Sequence, residues 1–79
     1  MQGKLRFEYD SSDDILYINK RPPYPEQEPA EIDYGVRARL NPKTGEIENL
    51  EILSFSQRLS QHPLVELPLI ADFHFSATA

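Results

Sequence analysis

The chain has 79 residues, 39% of them apolar, with no cysteine and a net charge of −5. A length like this makes one small domain, which buries about 60% of its unfolded surface and has a thin stability margin, while disulfides and thiolate metal sites are excluded outright. The acidic balance weighs against non-specific nucleic-acid binding, and the lack of a leader-like opening or a long apolar run leads us to expect a soluble cytoplasmic protein with no membrane partner.

Residues 4–9 alternate, with Leu5, Phe7 and Tyr9 on one face and Lys4, Arg6 and Glu8 on the other. A period of two over six residues predicts a half-buried strand. The "DSSDD" that follows at 10–14 is rich in side chains that close turns through their own backbone, and "ILYI" at 15–18 resumes as a second strand. Both faces of that second strand are apolar, so something must cover its other side. Residues 20–31 hold four prolines and predict an extended connector. Residues 32–40 predict a third strand with Ile32, Tyr34, Val36, Ala38 and Leu40 on one face. "NPKTG" at 41–45 predicts a turn ending on a left-handed glycine.

The fourth strand, residues 46–53, changes parity between Ile47 and Leu50, which predicts a bulge near Glu48 and Asn49. Ser54 and Gln57 are spaced as a capping box, Phe55 and Leu59 share a helical face, and Pro63 supplies a stop; a short helix is expected there. In the tail, Val65, Leu67, Leu69, Ala71, Phe73 and Phe75 fall on alternate positions, which favours a fifth strand at an edge, with a helix starting at Pro68 as the competitor. The expected fold is therefore α+β: a four-stranded antiparallel meander, a short helix and a C-terminal apolar strand or edge segment. Residues 1–62 would form the sheet-plus-helix domain and residues 63–79 would pack on the sheet or on a partner subunit.

Tyr9-Asp10, then Asp14, then "LYI" at 16–18, then Gly35, Gly45 and "LEILSFSQRL" at 50–59 resemble a group of small bacterial proteins, the domain of unknown function 2283 family, over about residues 5–60. Phe55 stands where family members tend to have alanine, and the apolar tail after Pro63 is additional. The resemblance implies a compact antiparallel sheet with a short helix and no particular activity. Some members are encoded beside another small protein in a toxin–antitoxin-like arrangement, which implies a second small protein as a partner for those relatives.

Asp10, Asp13 and Asp14 are the candidate metal ligands. An EF-hand loop counted from Asp10 would need glycine at Ile15 and glutamate at Arg21, so that loop fails. No phosphate-cradling glycine loop accompanies the aspartates, and the reading preferred here is a turn whose carboxylates accept backbone N–H groups. His62 and His74 stand alone and do not form a zinc site. The serines at 54, 56 and 60 lack a glycine-flanked elbow, so no catalytic residue and no cofactor is assigned. Lys4, Arg6, Arg37 and Arg39 around Tyr17 would suit an RNA-binding sheet, against which Glu8 and Asp33 argue. The reading that best fits the sequence is a non-enzymatic protein-interaction module that self-associates through Tyr17, Leu67, Leu69, Phe73 and Phe75. A small metal or ligand binder using the Asp10–Asp14 turn is the first alternative, and the RNA-binding sheet is the second.

Overall fold

The computed structural model describes residues 3–76. Its elements are β1 (Arg6–Asp10), β2 (Ile15–Asn19), β3 (Glu28–Asp33), β4 (Val36–Leu40), β5 (Ile47–Leu53) and α1 (Phe55–Gln61). The five strands form one antiparallel sheet in the order β1-β2-β5-β4-β3. The α+β class and the short helix agree with the sequence; the four-stranded meander does not. β5 inserts between the two hairpins, so β2 leads by the connector to the far edge of the sheet. Crossing three strand spacings takes about 14 Å. The extended, proline-rich residues 20–27 supply that reach.

The missing strand was concealed by parity. What reads as one strand over residues 32–40 is a hairpin whose turn is Tyr34-Gly35, with Asp33 opposite Val36. The two-residue turn sets odd Asp33 opposite even Val36, and the register shift between Glu31 and Asp33 then restores parity, so that Glu31 meets Arg37, Ala30 meets Ala38 and the alternation runs through unbroken. β3 takes its first residues from the end of the expected connector. The fourth strand behaves as expected. Between β4 and β5 the register shifts so that Arg39 meets Asn49 and Leu40 meets Ile47, leaving Glu48 as the extra residue of a bulge. Gly45 closes the preceding turn at φ 75°, its N–H donating to the Asn41 carbonyl at 2.9 Å.

Paired residues share a sheet face, so the registers define two surfaces. Phe7, Tyr9, Leu16, Ile18, Leu50, Ile52, Val36, Ala38 and Ala30 lie on the apolar one. Arg6, Glu8, Tyr17, Asn19, Asn49, Glu51, Arg37, Arg39 and Glu31 lie on the other. The apolar face is deepest at Val36 and Ala38, each 1% exposed, and at Ile52.

The helix crosses one end of the sheet and ties the two hairpin turns together. Tyr9 packs against Phe55, ring centres 6.1 Å apart. Arg58 donates from Nε to the Leu53 carbonyl (2.9 Å) and from Nη2 to the Tyr34 carbonyl (2.5 Å). The expected capping box is absent: Ser54 is left-handed at φ 54° and its side chain makes no capping bond. Asp14 takes over that role from the β1–β2 turn, as described below.

The tail is neither the fifth strand nor the competing helix. The Leu69 N–H donates to the Leu67 carbonyl at 2.8 Å, a three-residue turn centred on Pro68 that interrupts the alternation. Val65, Leu67 and Leu69 are half-buried, whereas Leu64, Glu66, Pro68 and every residue from 70 to 75 are exposed. Residues 77–79 of the expected C-terminal segment lie outside the described residues.

Gly35 is held by two constraints at once. Its φ is +67°, and a Cβ there would come within 2.5 Å of Arg58 Nη2. Gly45 has only the first constraint, with open space around it. Gly35→Ala should therefore cost about 2–3 kcal/mol and Gly45→Ala about 1 kcal/mol, read from urea unfolding midpoints. Equal costs would mean that Arg58 moves aside freely.

Candidate functional site

The aspartate cluster is built into the turn between β1 and β2. Asp10 Oδ1 accepts from the Ser12 N–H (3.0 Å), the Ser12 hydroxyl (2.8 Å) and the Asp13 N–H (3.3 Å). These bonds, the Ser12 hydroxyl first, hold the Asp10 carboxyl below the usual aspartate range. Asp14 is left-handed at φ 57° and faces the helix instead. Its carboxylate accepts from the Tyr9 hydroxyl (2.6 Å), the Ser56 N–H (2.9 Å) and the Ser56 hydroxyl (2.9 Å), and its carbonyl accepts from the Phe55 N–H (3.0 Å). Asp14 thus caps α1 from a distant part of the chain, satisfying N–H groups that a helix start leaves without partners. The Tyr9 bond is the largest cause of its lowered pKa, and the same bond raises that of Tyr9.

Asp10 and Asp14 are thereby engaged in separate hydrogen-bond sets, and Asp13 is exposed. Among the described residues, no three His, Asp or Glu side chains gather into a set that could hold a metal ion. Ser56 has a carboxylate partner but no imidazole between them, so the arrangement lacks the base of a hydrolytic triad.

A second polar cluster, which the sequence reading missed, lies at the opposite end of the sheet. Glu48, Asn49 and Gln27 are buried polar residues. Gln27 Nε2 donates to Glu48 Oε1 (2.9 Å) and Asn49 Oδ1 (2.7 Å); the Tyr24 hydroxyl donates to Glu48 Oε1 (2.7 Å); Asn41 Nδ2 donates to Glu48 Oε2 (3.1 Å). Asn49 Nδ2 donates to Asn19 Oδ1 (2.8 Å) and to the Arg21 carbonyl (2.6 Å). Arg21 lies 3.7 Å from Glu48 Oε2 and stacks over Tyr24. Among the described residues, no buried side-chain polar atom lacks a partner. The cluster therefore fastens the connector across the polar face. Its one sequence signal was the parity slip at Glu48-Asn49: a bulge that turns a glutamate inward must surround it with donors.

Those donors, Gln27 first and Tyr24 next, hold the Glu48 pKa at about 2, against burial, which pushes it up. A depressed carboxyl contributes stability above its unfolded pKa and loses it as pH falls through the folded value. For Glu48 that window runs from about pH 4.5 down to about pH 2.

The remaining candidates sit on the surface. Tyr17 is half-buried between Glu8 and Glu51; burial first, then the Glu51 charge, raises its pKa. Arg6 and the Arg37–Arg39 pair are separated by both β2 and β5, and Arg39 lies 3.6 Å from Glu51, so acids interrupt the expected basic rows. Leu67 and Leu69 are half-buried, while Phe73 and Phe75 are 78% and 102% exposed. Phe7 is 64% and Tyr9 47% exposed at the open edge of the apolar face.

Two outcomes follow for the polar clusters. Wild type should lose urea resistance between about pH 4.5 and pH 2, and Glu48→Gln should be weaker at neutral pH yet show a shallower decline over that window. Identical slopes would mean that Glu48 is not a principal acid-sensitive group. Asp14→Ala should lower the Tm by about 5 °C, and Asp14→Asn by less because the amide oxygen still caps.

Neither a curated protein nor a solved structure matches the chain. A family model described as "Protein of unknown function (DUF2283)" matches residues 6–56, from the first residue of β1 into the first turn of α1. The match includes the Asp14 cap, the Gly35 turn and the Glu48 bulge, and it covers more than half of the chain: the protein belongs to the DUF2283 family.

Proposed function

We propose that this protein is a non-enzymatic protein-interaction module that self-associates and docks a second protein through its apolar C-terminal segment. The observation that carries this reading is the imbalance between buried and exposed apolar residues. Val36, Ala38 and Ile52 are fully buried, whereas Phe7, Tyr34, Leu64, Ile70, Phe73 and Phe75 are each more than half exposed. Four of these residues, Leu64, Ile70, Phe73 and Phe75, fall within one twelve-residue stretch of the tail, and large exposed apolar patches mark interaction sites. The carboxylates that could have served chemistry are engaged in capping a helix and fastening a loop, which favours binding over catalysis. Tyr17, Leu67 and Leu69 stand beside the exposed phenylalanines as the half-buried part of the proposed contact set.

Native mass spectrometry of the full untagged chain, purified gently from its own cells, tests the reading. A homo-oligomer or a stoichiometric second polypeptide is expected. Phe73→Ser combined with Phe75→Ser should release that second polypeptide while leaving the circular dichroism spectrum unchanged. A bare monomer at every concentration, with no second polypeptide, would sink the proposal.

A further inference from the structure

The sheet has two edges, and they differ in chemistry. β3 presents Glu28, Pro29, Glu31 and Asp33; the proline lacks an N–H, and the acids repel another copy of themselves. β1 has no proline, and its charges are of both signs, Arg6 with Glu8 and Asp10. It is five residues of regular strand, preceded by Lys4 and Leu5, with Phe7 and Tyr9 exposed beside its open edge.

From the sequence of that edge we infer that β1 pairs antiparallel with β1 of a second copy, about a two-fold axis at Phe7, giving a continuous ten-stranded sheet. The inference rests on the interaction-module reading and specifies how the self-association is built. The carrying observation is that residues 4–10, "KLRFEYD", are self-complementary about their centre. With Phe7 opposite Phe7 of the second copy, Arg6 faces Glu8, Lys4 faces Asp10 and Leu5 faces Tyr9, and each pairing occurs twice. Opposite charges and aromatic–aliphatic pairs directly across an antiparallel ladder are the favourable combinations. The two-fold keeps like faces together, so the apolar face runs unbroken from one copy into the next.

Other registers are worse for a specific reason. A shift of two residues in one direction sets Arg6 against Arg6; in the other direction it sets Glu8 against Glu8. A shift of one residue turns the apolar row of one copy toward the polar face of the other. Within a single chain, Arg6 and Glu8 face the neutral Asn19 and Tyr17 on β2, so reversing either charge leaves the pairs inside the domain intact.

The test uses Arg6→Glu and Glu8→Arg in the full-length chain, with mass measured by light scattering and sedimentation equilibrium. Wild type should dimerise by about 100 µM, as a small edge interface allows. Each single reversal should weaken that dimer at least about tenfold, since every altered pair becomes repulsive. The two single variants mixed in equal amounts should form a heterodimer, visible by native mass spectrometry, and the double reversal should restore the homodimer. A wild type that stays monomeric overturns the inference. So does a dimer indifferent to both reversals; if Phe73→Ser with Phe75→Ser then abolishes it, self-association through the tail stands while edge pairing falls. Loss in both single variants without recovery in the mixture also overturns it, because the charges would then act on something other than each other.

Discussion

Everything in this fold depends on β5 reaching its place between two hairpins. β1–β2 and β3–β4 share no strand except β5. A two-stranded hairpin is marginal in water by itself, so neither can persist until the last strand of the chain pairs with both. β5 completes the apolar face by setting Leu50 and Ile52 between Leu16 and Ile18 on one side and Val36 and Ala38 on the other. The cost is non-locality: β5 must find a strand that lies some thirty residues earlier, and loop closure makes such pairing slow.

Two carboxylates hold the ends of this arrangement. Asp14 links the first hairpin turn to α1, and Arg58 links α1 onward to the second turn, so one end of the sheet is closed by a chain of hydrogen bonds running across all five strands. At the other end Glu48 gathers Gln27, Tyr24 and Asn41, fastening the long connector and the 41–46 turn to β5. In both places a residue with an unusual backbone role, a left-handed turn residue or a bulge, aims a carboxylate at several donors. A carboxylate fixed in this way satisfies backbone and side-chain donors that would otherwise lack partners. Both carboxylates thus serve the architecture, and large apolar side chains such as Phe7, Phe73 and Phe75 remain exposed elsewhere.

How far the sequence could be read follows from the same geometry. β1, β2, the Asp10–Asp14 turn, the Gly45 turn and the bulge at Glu48-Asn49 were legible because each changes a local pattern. The Tyr34-Gly35 turn was not, since the bulge beside it, between Glu31 and Asp33, cancels the parity change of a two-residue reversal, and Gly35 is one glycine in an otherwise regular run. The strand order was not legible either, because nothing local distinguishes a connector that returns to its neighbour from one that crosses the sheet. The Ser54–Gln57 box had the right spacing, yet Ser54 turns left-handed and a distant aspartate does its work. Similarly, Glu48 announced itself only as a bulge. Its partners Gln27 and Tyr24, more than twenty residues earlier, could not be read without the fold. Tyr17, the one expected contact residue inside the sheet, is screened by acids on both sides, whereas Phe73 and Phe75 stand in solvent.

The distribution of charge along the two sheet edges completes the account. A domain this small cannot cover all of its apolar face with seven residues of helix, and the part left open lies at β1. Uncontrolled, an edge strand beside an apolar row invites aggregation. Natural sheets manage that hazard by breaking the edge or by specifying its partner. β3 is broken by Pro29 and by acids. β1 instead keeps regular geometry, and residues 4–10 place Lys4 and Arg6 before Phe7 and Glu8 and Asp10 after it, an order that sets like charges together in the registers shifted by two and opposite charges together in one. The same residues that would make the edge dangerous without charge make it selective with charge: Lys4 and Arg6 balance Glu8 and Asp10 on this edge, whereas Glu28, Glu31 and Asp33 guard the other with one sign.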